Sequence, residues 1–210
     1  MNETEPKAQL NLLLVGGRVC LDFCNTLEYR ESDRPIELLA NGYDALIRWS
    51  QYVNVIDDRQ TVALLAVDSD SAPIRAVFED AIRLREVLYR LFKAVVDRTL
   101  PAPADLAALN AAIQQAQAHR ELVADEHGGL LWQWRDQDTP DFMLHPLALS
   151  AEDLLTADTD ELNRLRQCPS CGWLFLDESR NRSRTWCDMR YCGNRAKAKR
   201  FHQRQKSGGA

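Results

Sequence analysis

Long apolar runs are missing from the start of this 210-residue sequence. The opening MNETEPKAQLNLLLVGGR is acidic, and its apolar run reaches only from Leu12 to Val15. That is too short for a signal-peptide core or a membrane span. The expectation is a cytoplasmic protein without membrane contact, in which thiols stay reduced. Internal repeats are absent as well, which argues against a stacked-repeat architecture. Low complexity is confined to the closing SGGA. A nucleophile beside a base at telling spacing is also lacking. Asp22, Asn25 and His145 are the polar candidates for an active site, and a buried hydrogen-bond network suits Asp22 and Asn25 better than catalysis. The sequence therefore reads as something other than an enzyme. At this length one large or two modest domains bury a sufficient core without disulfide staples. The six cysteines ask for another purpose.

Charge is present but unevenly placed. The net charge is −5, yet residues 161–210 carry twelve Lys and Arg against four Asp and Glu. That segment stands at +8 and the remainder at −13. Such asymmetry predicts two modules with different partners. The division falls at the polar stretch TADTDEL, giving residues 1–158 and 159–210.

The first module reads as mainly α with small β elements. LNLLLVGG predicts a short buried strand closed by Gly16 and Gly17. RVCLDFCNTLEYR fits a helix better than a strand, because Cys20, Leu21, Cys24 and Leu27 gather opposite Asp22, Asn25 and Thr26. Cys20 and Cys24 are then core residues. Asn41 is a candidate cap for a helix to Tyr52, and Asp57 for another to Val67. The strongest helical period runs from Ala72 to Arg98 and ends before Pro101 and Pro103. An Ala-rich helix follows from Ala104 to His119. ELVADEHGGLLWQWR predicts a hairpin turning at Gly128–Gly129. LHPLALSAEDLLTAD predicts a last helix.

The second module holds Cys168, Cys171, Cys187 and Cys192, spaced C-x2-C, fifteen residues, then C-x4-C. Two short-spaced thiol pairs suit the tetrahedral preference of zinc. Four thiolates leave no open coordination position, so one structural zinc ion is expected and metal catalysis is disfavoured. WLFLDESRNRSRTW fits a small hairpin with its turn at DESRNR. CGNRAKAKRFHQR fits a helix carrying the last ligand. Knuckle, hairpin and helix in that order predict a treble-clef finger.

Around this metal the sequence gathers cations. Arg195, Lys199, His202 and Lys206 form one helical stripe, with Lys197, Arg200 and Arg204 on another side. Arg180, Arg182 and Arg184 share one side if their segment is extended. A polyanion is the matching partner, because each neutralised phosphate releases counterions. Arg180, Arg182, Arg184, Arg195, Lys197, Lys199, Arg200 and Arg204 are therefore candidate contacts to double-stranded DNA. The alternative is a zinc-stabilised module that binds RNA or protein without sequence-specific DNA recognition.

Cys192–Gly193–Asn194–Arg195 and the flanking CPSCGWLFLDESRNRSRTWCDMRYCGNRAKAKR resemble the finger of bacterial CGNR-type zinc-finger proteins. Gly16, Gly17, Leu21, Asp22, Phe23, Asn25 and Thr26 resemble the signature of the ABATE domain that precedes that finger. The resemblance implies a stress-responsive transcription regulator whose finger binds DNA and whose first domain binds a small ligand. Asp22, Asn25, Trp132 and Trp134 are the candidate ligand residues, and a homodimer would add to the few base contacts of one finger.

Overall fold

The computed structural model describes residues 12–199. It is mainly helical, with three two-stranded antiparallel sheets among the described residues. The chain enters helix α1, Val19–Cys24, and then a minimal sheet of β1, Leu27–Glu28, and β2, Ile36–Glu37. Helices α2, Tyr43–Tyr52, and α3, Asp58–Leu65, follow. The long α4, Ala72–Asp97, is succeeded by α5, Pro103–Ala118. Strands β3, Arg120–Ala124, and β4, Leu130–Trp134, form the hairpin that ends at α6, Leu144–Leu155. Short α7, Thr159–Leu162, leads to β5, Leu165–Gln167, and β6, Leu174–Leu176. A π-helical turn, Met189–Gly193, closes the described finger, and residues 194–199 continue as helix.

Helix α4 organises the core. Ile74, Ala81, Leu84, Leu88, Leu91 and Phe92 recur at helical spacing and are buried, so one face meets the other helices continuously. Pro73 lies in its first turn, where a missing N–H costs nothing. Arg98 stops it in the left-handed conformation at φ 56°. The same helix buries Arg85, 2% exposed. Its guanidinium donates to both carboxylate oxygens of Glu37 at 2.8 and 2.7 Å and to Thr26 Oγ1 at 3.0 Å. A charge so placed is tolerable only with such partners.

Several sequence expectations need correction. Leu12–Val15 is not a strand: it runs without strand pairing, held by hydrogen bonds from Val15 and Gly16 to the Asp22 side chain. Asn41 is not the cap of α2, because Gly42 takes that position at φ 72° and no side chain caps the first turn. Asp57, in contrast, does cap α3. It accepts from the Gln60 amide while the Gln60 side chain returns to the Asp57 N–H. The finger's hairpin also differs. Leu174–Leu176 pairs backward with Leu165–Gln167, so the hairpin loop is the first cysteine knuckle itself. Residues beyond Leu176 turn instead of returning as a strand. The reason is local: buried Asp177 accepts hydrogen bonds from the Ser179 and Arg184 amides and bends the chain there.

Candidate metal centre and surrounding cations

The β5–β6 pairing brings Cys168 and Cys171 together. The turn is tied by Cys168 N–H to Trp173 O at 2.8 Å and Gly172 N–H to Cys168 O at 2.9 Å. Gly172 sits at φ 78°, which an L side chain rarely adopts. Cys187 arrives on the segment clamped by Arg184. That guanidinium lies 4.7 Å from the Phe175 ring centre and donates to the carbonyls of Trp186, at 3.0 Å, and of Cys187. Cys192 comes from the π-helical turn, whose open amides at Arg190 and Tyr191 are capped by Asp188 Oδ1 at 2.6 and 3.0 Å.

All four sulfur atoms are buried and lie within 4.8 Å of one another. Cys171 Sγ and Cys187 Sγ are 3.5 Å apart, and Cys187 Sγ and Cys192 Sγ 3.6 Å. A tetrahedral zinc with bonds of about 2.3 Å needs sulfur separations of about 3.8 Å. No disulfide joins them. The four cysteines therefore form a treble-clef-like site for a single structural zinc ion. Held this way, the ion joins the knuckle to the helical turn and fixes where the following helix points.

That helix presents Arg195, Lys197 and Lys199 to solvent, and Arg190 and Arg180 are also exposed. Sequence reasoning passed over Arg190; its place between the last two ligands, three residues past Cys187 and two before Cys192, was the available sign. The three loop arginines do not share one side. Arg182 has φ 49° and pairs with Asp160 at 2.7 Å. Arg184 turns inward onto the finger, and Arg180 remains outward. The turn begun at Asp177 separates them. Arg200, Arg204, His202 and Lys206 lie outside the described residues. Arg195 also covers the Tyr29 ring at 5.2 Å. It opposes the burial that raises the Glu28 carboxyl above its ordinary range.

The finger is seated on the helical body through the Asp22–Asn25 region. Asn25 Nδ2 donates to Leu174 O and Asn25 Oδ1 accepts from Leu174 N–H, both at 2.8 Å. Asp22 Oδ1 accepts from Val15 and Gly16 at 3.1 and 2.8 Å. Gly16 O in turn accepts from Leu176 N–H at 3.0 Å. A Cβ on Gly16 would stand 2.8 Å from Leu21 Cβ, so this approach requires glycine. Tyr29 N–H donates to Cys171 O at 3.0 Å, and Gln167 donates to Tyr89 of α4 at 2.7 Å. Leu165, Leu174 and Leu176 belong to the same buried cluster as the helices.

Trp132 and Trp134 stand elsewhere, on one face of β4. They flank Arg120, whose guanidinium carbon is 4.6 and 5.4 Å from their ring centres. Trp132 is half exposed, while Trp134 packs edge-on against Phe142. Their neighbours are thus different from those of Asp22 and Asn25. Cys20 and Cys24 are fully buried, and burial pushes the Cys20 thiol up to about 12, as expected of inert core residues. Among the described residues no helix is long and apolar enough to cross a membrane.

Two family models match the sequence. Residues 17–158 match ABATE, described as "Putative stress-induced transcription regulator", and residues 164–205 match the CGNR zinc finger. No curated protein matches the chain.

Proposed function

Because the chain belongs to the ABATE family and ends in a CGNR zinc finger, we propose that it is a DNA-binding transcription regulator. In this reading residues 159–210 contact the duplex and residues 1–158 respond to a small ligand. The single observation that carries it is the zinc-held helix at residues 194–199 with Arg195, Lys197 and Lys199 exposed on it. Small alanines separate these cations and let a phosphate backbone approach closely. Arg180 and Arg190 extend the basic surface. Arg200 and Arg204 continue it in sequence. Arg182 contacts phosphate on leaving Asp160, and Arg184 holds the finger's shape.

A finger of this size makes few base contacts, so useful discrimination calls for two copies on two half-sites. The test is fluorescence anisotropy of the full chain on a random double-stranded pool, at stepped salt and with single-stranded RNA as competitor. Binding that weakens steeply with salt and resists the RNA supports the reading. Salt-independent binding refutes the electrostatic account. Preferential displacement by RNA favours a zinc-stabilised RNA-binding module instead.

A further inference from the structure

Away from the finger, α4, α5 and the approach to α6 enclose a groove of about 360 Å³. This is toward the small end of small-molecule sites. Leu84 and Val87 of α4, Ala112 of α5 and Leu144 of α6 line it. Its inner polar end is made by Asp141 and His145. His145 is 3% exposed, and its Nε2 has no hydrogen-bond partner. The nearest carboxylate oxygen, Asp141 Oδ2, stands 3.9 Å away, beyond hydrogen-bond reach. A buried polar atom left unpaired is costly, and such atoms in native proteins ordinarily have a partner.

The surroundings say which partner suits it. His119 stacks on the His145 ring at 4.5 Å, and Trp134 and Phe142 complete the apolar enclosure at 6.3 Å each. Burial lowers the imidazole's proton affinity, against Asp141 and with His119, which favours its neutral form. Arg83, the cation of the groove, is already paired with Asp80 and with Glu79 at 3.9 Å. Asp141 therefore leaves the inner end acidic. An anion is repelled there; a group rich in N–H donors and positively charged is matched on both sides.

We propose that this groove binds a small amine, whose ammonium pairs with the Asp141 carboxylate beside the unpartnered His145 while its apolar body lies on Leu84, Val87, Ala112 and Leu144. The inference deepens the reading of the helical body as the ligand-responsive half. Its test needs no DNA, so its failure and that of the DNA reading are separate results.

The experiment is calorimetric titration of the full zinc-loaded chain with 2-phenylethylamine, 2-phenylethanol and 3-phenylpropionate. The amine is expected to bind with a Kd of about 1 mM or tighter, as its size allows. The alcohol should bind about tenfold more weakly, and the carboxylate not at all. Asp141→Asn should weaken the amine about tenfold, and Ala112→Leu should abolish its binding by filling the groove. Circular dichroism confirms that both variants are folded; neither position is in the deep core. Absence of saturable amine binding overturns the proposal. So does carboxylate binding equal to that of the amine, or an unchanged Kd in either variant.

Discussion

Asn25→Ala is the most informative single substitution. Asn25 is 4% exposed and Leu174 is fully buried. Removing the amide leaves the Leu174 N–H and C=O without the two 2.8 Å bonds they now make to it. Each of these two orphaned buried groups costs about 1–3 kcal/mol, so the loss should be about 2–6 kcal/mol. That is a large part of the roughly 5–15 kcal/mol that holds a typical protein folded. The assay is urea unfolding in the presence of zinc, followed by helical circular dichroism and by zinc release to a chromophoric chelator. Both transitions should move to lower urea together, because Leu174 lies in the core that the helices share. Asn25→Asp keeps an acceptor for the N–H but sets a carboxylate against the Leu174 carbonyl, and should be at least as damaging. A loss below about 0.5 kcal/mol, or earlier zinc release with an unmoved helical transition, would show that Asn25 does not tie the two parts together.

Cys187→Ser should lose the zinc, read by elemental analysis, and should also lower the melting temperature of the helical body, since β6 packs in its core. Arg85→Ala should cost about 3–5 kcal/mol in chemical unfolding by stranding Glu37 and Thr26. Lys199→Ala should weaken DNA binding at every sequence alike and reduce the salt slope by about one, read by anisotropy. Burial raises the Asp22 carboxyl from 3.8 to about 6, against the hydrogen bonds from Gly16 and Val15. Its folded-state value lies above the unfolded one, so this group's contribution is full below about pH 4 and is lost as pH rises through about 6. The stability difference between wild type and Asp22→Asn should therefore shift in favour of the variant between those limits, measured by paired urea curves.

The helices were legible because their signals are local. The apolar period of α4 spans its whole length, and Asp57 and Gln60 stand at capping-box spacing. The cysteine spacing likewise announced the metal before any geometry. What was not legible depended on partners far away in sequence. Nothing in LNLLLVGG says that its amides go to the Asp22 carboxylate instead of a strand. Leu174 and Leu176 read as half of a hairpin, but the choice of Leu165–Gln167 as partner follows from the knuckle's tight turn and from Asp177 bending the chain away. Arg182 and Arg184 read as phosphate contacts by charge alone. Only the folded loop shows the first on Asp160 and the second on the carbonyls of Trp186 and Cys187.

The Gly-Gly and Leu-Asp-Phe-x-Asn-Thr residues sit in the helical half, yet their polar atoms serve the finger. Gly16 offers its carbonyl to Leu176, Asp22 fixes the loop that carries Gly16, and Asn25 closes on Leu174. Thr26, next in line, takes Arg85 of α4 and donates to Phe23 O. Gly17, at φ 81°, would bring a Cβ to 3.5 Å from Leu176. Short polar residues at consecutive positions thus bind both the central helix and strand β6. A division between residues 158 and 159 separates the acidic from the basic sequence, but it does not separate the core. A finger cut there would expose Leu165, Leu174 and Leu176, which are at most 5% exposed in the whole chain. Its zinc could still draw the four cysteines together, but β6 would have lost both the hydrogen bonds and the apolar surface that seat it. A displacement of α1 would act through Asn25 on Leu174, which lies three residues after the knuckle's Cys171.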